Sequence, residues 1–217
     1  MTRVLVTAFE PFGGETVNPS QQAVQTLSAG PAPAGVELVT AFLPVVFGAA
    51  IDALKAAVTA HDPDLVICTG EAGGRLAVTP ERVAVNIDDA PLPDNAGRAP
   101  VDEPIIAGAP AAYLSTLPVA AIVTALHEAG IPAAKSSTAG TYVCNNVSYG
   151  LMHLIATERP HLRGGFVHVP YVHEQVLGRR DAQPSLSLET ITRAVFVTVE
   201  TSVAALTEGR GALSAVR

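Results

Sequence analysis

Short apolar runs that end at turn residues alternate along the chain with stretches whose apolar positions recur at three- and four-residue spacing. "RVLVTAF" (3–9) and "DLVICTG" (64–70) are β-branched and apolar, and suit buried strands. "VELVTAFLPV" (36–45) and "ERVAVNID" (81–88) predict further strands, the second through the alternation of Val83, Val85 and Ile87. "IPAAKSST" (131–138) and "GFVHVPY" (165–171) are later strand candidates. Helical periodicity covers 18–28, 47–60, 118–129, 141–157 and 187–206, with Asp62-Pro63, Gly130 and Gly164-Gly165 as punctuation. Such alternation predicts one α/β domain over 1–217, with a twisted, partly parallel sheet covered by helices on both faces. The stretch 88–104 breaks the pattern. Its Pro, Asp, Asn and Gly content predicts an exposed loop or an irregular hairpin, and loops of that length often border a site.

Composition narrows the classes of function. With 48% apolar residues in 217, the chain can bury a core. No apolar run reaches the roughly 18–20 residues of a membrane span. The opening "MTRVLVTAF" enters a strand pattern directly, without a signal-peptide pattern, so a cytoplasmic location is expected. A net charge of -7 and scattered arginines argue against nucleic acid as a partner. The two cysteines do not suggest a structural disulfide in that compartment, and no CxxC pair suggests zinc or redox chemistry.

The chemistry gathers in "STAGTYVCNNVSYG" (136–149). Val143, Val147, Leu151, Leu154 and Ile155 form one apolar helix face, with Thr138 or Thr141 available as a cap. Cys144 then falls in the first helical turn. Free N–H groups and the positive end of the helix dipole there favour a thiolate and can receive an oxyanion. A proton carrier is offered by His168 in "GGFVHVPY", where it shares a strand face with Phe166 near the strand end. Glu81, after "TP", is the candidate acid to orient that imidazole. Each residue also has an ordinary reading. Cys144 can fill a core as Cys68 in "LVICTG" is expected to, a strand histidine can be merely hydrogen-bonded, and a glutamate can mark a strand edge. Spacing alone leaves these readings side by side.

The motifs taken together resemble the pyroglutamyl peptidase I family of cysteine peptidases. They are "VLVTAFEPFGGETVNPS" (4–20), "GEAGGR" (70–75), "TPERVAVN" (79–86), "PDNAG" (93–97), "GAPAAYLSTLP" (108–118), "TAGTYVCNNVSYGLM" (138–152), "RGGFVHVPY" (163–171) and "PSLSLETITRA" (184–194), in the family's order over nearly the whole length. The resemblance implies an α/β/α sandwich, no metal or other cofactor, N-terminally blocked peptides as substrates, and a homo-oligomer, often a tetramer. It implies Cys144, His168 and Glu81 as a catalytic triad. It also implies a pocket for the flat lactam ring of pyroglutamate, with Phe9, Phe12 and Tyr142 as walls. Asn18 or nearby backbone groups would meet the lactam N–H and C=O. Glu71 stands where the bacterial pattern has glutamine, so at the lactam it must accept the N–H or be protonated. Pro91 stands in place of an expected arginine, and Tyr142 in place of phenylalanine, with a hydroxyl that needs a partner if buried. Two alternatives belong to other classes: a metal hydrolase built on His168, His173 and Glu174, and a non-catalytic binder of pyroglutamyl peptides. Pro170 interrupts the helical spacing that the first needs. His61, His127, His153 and His161 receive no role.

Overall fold

The structure is a computed structural model, and it describes residues 1–214. In chain order the elements are β1 (Thr2–Phe9), α1 (Pro19–Ala29), β2 (Val36–Leu43), α2 (Ala49–His61), β3 (Leu65–Glu71), β4 (Thr79–Pro80), β5 (Val83–Val85), β6 (Ala112–Leu114), α3 (Val119–Glu128), α4 (Val143–Thr157), β7 (Arg163–Val169), β8 (Tyr171–Val172), α5 (His173–Val176), β9 (Ser185–Leu186) and α6 (Leu188–Ser214). The central sheet has the order β2-β1-β3-β7-β4. Its first four strands are parallel and β4 is an antiparallel edge.

The period-two alternation of each strand sorts its side chains between two cores. Val4, Val6 and Ala8 of β1 join Ile67 and Val167 under α1, α3 and α6. Leu5 and Phe9 join Val66, Cys68 and Phe166 under α2 and α4. This is the expected α/β/α sandwich, and it explains why the central strands read as unbroken apolar runs: both faces are covered. Among the described residues no helix is long and apolar enough to cross a membrane.

Three local expectations are corrected. "IPAAKSST" forms no strand; Ala133 and Ser136 make only isolated bridges to Val78 and Glu81, because Pro80 opposite them lacks the N–H that would continue the ladder. "ERVAVNID" shortens to β5, paired antiparallel with β6, and Glu81 lies ahead of it. Helix α4 starts at Val143 with Tyr142 as its N-cap and no side-chain cap. Thr138 and Thr141 are engaged elsewhere. The Thr138 hydroxyl accepts from Gly140 N and the Thr141 hydroxyl donates to Asp89 O. The 88–104 segment does close as an irregular hairpin, through the antiparallel bridge of Asp88 to Glu103.

Helix α4 is buried far beyond its apolar stripe. Asn145, Asn146, Ser148, Tyr149 and Gly150 are buried as well, because residues 83–115 pack on the face that periodicity assigned to solvent. Asn145 binds the edge of that layer. Its Oδ1 accepts from Val85 N at 3.0 Å, and its Nδ2 donates to Val85 O and Ile87 O at 2.9 and 3.0 Å.

Candidate active site

Strand order reverses between β1 and β3, since β1 leads outward to β2 while β3 leads to β7 on the other side. Open α/β sheets bind ligands at such a switch, outside the carboxyl ends of the strands. A narrow cavity lies there, lined by Phe9, Phe12, Asn18, Val45, Glu71, Tyr142, Val143 and Cys144. All five residues assigned to the substrate pocket from sequence are on its wall, and so is the cysteine. Two wider hollows elsewhere on the surface have none of this chemistry.

Cys144 is the second residue of α4 and is partly buried, whereas Cys68 is wholly buried in β3 with its thiol pushed up to about 12 by burial. The sulfur lies over Gly70 of β3. A Cβ at Gly70 would fall 2.8 Å from Cys144 Sγ and 2.8 Å from Phe166 Cζ, so only a glycine leaves room for both. Gly70 is the register partner of His168 across β3–β7. Thiol and imidazole thus sit over neighbouring positions of adjacent strands, on the face where Phe166 packs. The Phe166 and His168 ring centroids are 4.8 Å apart.

His168 is 3% exposed and Glu81 1% exposed. His168 Nδ1 lies 2.8 Å from Glu81 Oε1. A carboxylate only accepts, so the proton is on Nδ1 and Nε2 is left as the base. Arg75 Nη1 donates to the same Oε1 at 2.6 Å and also to the Thr79 hydroxyl, and its Nη2 donates to Thr138 O at 2.8 Å. Burial raises the Glu81 carboxyl, but His168, together with Ser136 and Arg75, outweighs it and holds the acid below its ordinary range. Burial lowers His168; Glu81 opposes that and Arg75 adds to it. Burial raises the Cys144 thiol, and the Glu71 and Glu81 carboxylates add to the rise against Arg75. Burial and the two carboxylates thus act against the thiolate that the helix start was expected to favour. Desolvation favours a neutral thiol beside a neutral imidazole.

The pocket residues are held from behind. Phe12 and Tyr142 rings are 6.0 Å apart, and Phe47 meets Tyr142 edge-on at 5.3 Å. The Tyr142 hydroxyl has the partner it required, Pro93 O at 3.1 Å. Asn18 Oδ1 accepts from Ser20 N and the Ser20 hydroxyl while Nδ2 donates to Glu10 O, so one Nδ2–H remains for a ligand. Glu71 Oε2 accepts from Gln175 Nε2 at 2.8 Å, and burial raises this carboxyl, which favours its protonated form. The 88–104 hairpin is tied to the pocket's outer wall. Asp94 Oδ2 accepts from Phe47 N, Asn95 N donates to Val45 O, and Asn95 Nδ2 donates to Glu10 Oε1. Sequence reading assigned no role to Val45, Val143, Phe47 or Arg75. Only Arg75 carried a usable signal there, as the cation of "GEAGGR".

The residues of the metal-hydrolase alternative are not brought together. His168 is bound to Glu81, while exposed His173 bonds the Ser185 hydroxyl at 2.8 Å. Among the described residues no three His, Cys, Asp or Glu side chains form a group that could hold a metal ion.

Behind Cys144, Asn146 Nδ2 donates to both oxygens of buried Asp88, at 3.1 and 2.9 Å, and Asn146 Oδ1 has no partner. Burial raises the Asp88 carboxyl from 3.8 to about 6. The folded chain thus holds a proton that the unfolded chain loses. Stability from this group is complete below its unfolded value and is lost as pH rises through about 6, a cost on the order of 2–3 kcal/mol. Asp88→Asn removes the charge and adds a donor for Asn146 Oδ1. It should raise stability at neutral pH by about 1–2 kcal/mol and flatten this slope. Urea denaturation on both sides of the transition measures both effects, and a loss of stability at neutral pH would refute the reading.

A family model described as pyroglutamyl peptidase matches residues 2–205. The pyrrolidone-carboxylate peptidase of Streptomyces coelicolor is 63% identical over 176 residues, which is 81% of either chain. That of Thermococcus onnurineus is 51% identical over 203 residues, covering 94% of this chain and all of the other. The crystal structure of Bacillus amyloliquefaciens pyroglutamyl peptidase I superposes with a TM-score of 0.89 at 49% identity, covering 94% of this chain and 98% of that one. On the strength of a match that spans the pocket, the cysteine helix and the histidine strand alike, the chain belongs to the pyroglutamyl peptidase family of cysteine-type hydrolases.

Proposed function

We propose that the chain is a cysteine exopeptidase that removes pyroglutamate from the N-terminus of peptides, with Cys144 as nucleophile, His168 as acid and base, and Glu81 as the orienting carboxylate. The observation that carries this reading is the buried His168–Glu81 pair, whose free Nε2 belongs to a ring one strand away from the position under Cys144 Sγ.

A neutral pair, which burial favours, sets the order of events. His168 Nε2 takes the Cys144 proton as sulfur bonds to the pyroglutamyl carbonyl carbon. First-turn N–H groups of α4 receive the oxyanion. The C–N bond then breaks, and the amine leaves with the proton from His168. A thioester remains. Water gives a proton to Nε2 and its oxygen to the acyl carbon, and Cys144 recovers the proton as pyroglutamic acid departs. Activation by proton transfer needs no resting thiolate, and Glu81 stabilises the imidazolium only when it forms.

The cavity favours a small, neutral, flat ring. Phe9, Phe12 and Tyr142 supply the walls, and Asn18 Nδ2 and Glu71 are polar groups of the lining that would meet the lactam edge. A prolyl ring lacks the carbonyl that these groups meet, and a free α-amino group would bring its charge into a partly desolvated site. A panel of pyroglutamyl-, prolyl- and glutamyl-arylamides tests this. Only the first should be cleaved, by a margin of about 10⁴-fold or more, with loss on thiol alkylation and survival of chelation. Comparable cleavage of the prolyl compound would end the assignment. The same reading takes the chain as one working domain that acts in the cytosol as a homotetramer.

A further inference from the structure

We propose that Arg75 is a positioning residue of this reaction: its guanidinium clamps Glu81 to the segment that leads into the cysteine helix and sets the pH window in which Cys144 and His168 share one proton. The inference rests on the Cys144–His168 assignment above.

The geometry is specific to a planar fork. β3 ends at Glu71, and the turn that follows uses Gly74 at φ +83 to bring Arg75 back across the sheet end. There Nη1 reaches Glu81 Oε1, the oxygen that also receives His168 Nδ1, while Nη2 reaches Thr138 O, four residues before the α4 N-cap Tyr142. One guanidinium thus bonds both the carboxylate that aims the imidazole and the backbone that leads to the nucleophile. The Arg75 side chain is 26% exposed against 1% for Glu81. The contact with Glu81 is inside the protein, where charge is poorly screened. A lysine could satisfy one of these acceptors at a time, but not the fork.

The charge acts on the pair as a whole. The charged and titratable groups around Cys144 and His168 are Glu71 and Cys68 on β3, Glu81 ahead of β5, Tyr142 at the N-cap of α4, and Arg75 from the loop after β3. Arg75 is the cation of this set. It lowers both the thiol and the imidazole, opposing the two carboxylates at the thiol. A thiol and an imidazole that exchange a proton, as proposed for this pair over neighbouring strand positions, titrate in two macroscopic steps, and the reactive form lies between them with one proton on the pair. Loss of a neighbouring positive charge favours protonation at each step. Both limbs of the kcat/KM profile must then move to higher pH. A residue that only held the fold would lower the rate and leave the limbs in place.

The test uses the full chain, pyroglutamyl arylamide as substrate, and the wild type, Arg75→Gln and Arg75→Lys, each first shown to unfold cooperatively. In Arg75→Gln both limbs should rise by roughly one pH unit, and kcat/KM at the wild-type optimum should fall about 10- to 100-fold, the scale of losing a group that orients a reactive side chain from behind. The pH dependence of Cys144 alkylation by iodoacetamide should move in the same direction. Arg75→Lys keeps the charge and should keep the limbs while losing part of the rate. Should Arg75→Gln not fold, Arg75→Ala with added guanidinium ion takes its place, and recovery of rate with return of the limbs is the expected result. Limbs at their wild-type positions in the uncharged variant, or no recovery with guanidinium, overturn the proposal. Cys144→Ser is the control for the underlying reading: an active Cys144→Ser enzyme would remove the triad itself, whereas an inactive one beside unshifted Arg75→Gln limbs would remove only the role of Arg75.

Discussion

Cys144→Ser should leave a folded protein that cleaves pyroglutamyl arylamide at least about 10³-fold more slowly than the wild type. The reason lies in how the nucleophile is made. Burial already holds the Cys144 thiol above its ordinary value, and Glu71 and Glu81 add to the rise. His168 must therefore accept the proton as sulfur attacks. A serine hydroxyl holds its proton far more strongly than a thiol, and a buried imidazole with a lowered pKa is a poor base for it. The oxygen is also smaller and sits back from the carbon that the sulfur reaches. Packing changes little, since Gly70 leaves the space open, so the melting temperature should stay close to that of the wild type. Turnover within tenfold of the wild type, after exclusion of contaminating enzyme, would show that another group does the chemistry.

Glu81→Gln is the second large effect. The carboxylate accepts from His168 Nδ1 and from Arg75 Nη1 at one oxygen, while its other oxygen is buried, with the Ser136 hydroxyl nearby. A glutamine can accept through only one atom. Its amide then either faces His168, reversing the tautomer and placing the proton on Nε2, or turns toward the Ser136 hydroxyl and leaves His168 facing a neutral oxygen. It also cannot stabilise an imidazolium. The expected loss in kcat is about 10³- to 10⁴-fold, with KM little changed because Glu81 does not line the pocket. The pH profile gives an independent sign. Removing a negative charge near the pair disfavours protonation, so the limbs of residual activity should move to lower pH. This is opposite to Arg75→Gln, and one set of pH–rate profiles on the two variants tests both. A Glu81→Gln enzyme with near-normal kcat would exclude Glu81 from the machinery.

The two variants also separate charge from clamp. Arg75 and Glu81 share a hydrogen bond at 2.6 Å, so their effects should not add. Each removes one side of a single buried arrangement. A uniform drop in both, with no movement of either profile, would indicate damaged packing instead.

The four parallel strands β1, β2, β3 and β7 and the two faces of the sandwich were fixed by local chemistry. β-branched runs such as "RVLVTAF" cannot bury both faces except between helix layers, and the three-and-four spacing of Val143, Val147 and Leu151 leaves one orientation for α4. The three residues proposed for catalysis could be named for the same reason: a thiol in a first helical turn, an imidazole near a strand end and a carboxylate at a predicted strand start each have a local signature. Local chemistry could not show that Glu81 and His168 meet across 87 residues, that residues 83–115 bury the polar side of α4, or that Arg75 closes on the acid. Nor could it show that burial, Glu71 and Glu81 act against the thiolate at Cys144. Those depend on how distant segments exclude water together, because the energy of a charge or an unpaired polar group is set by everything around it, whereas helical and strand periodicity is a property of neighbours in the chain.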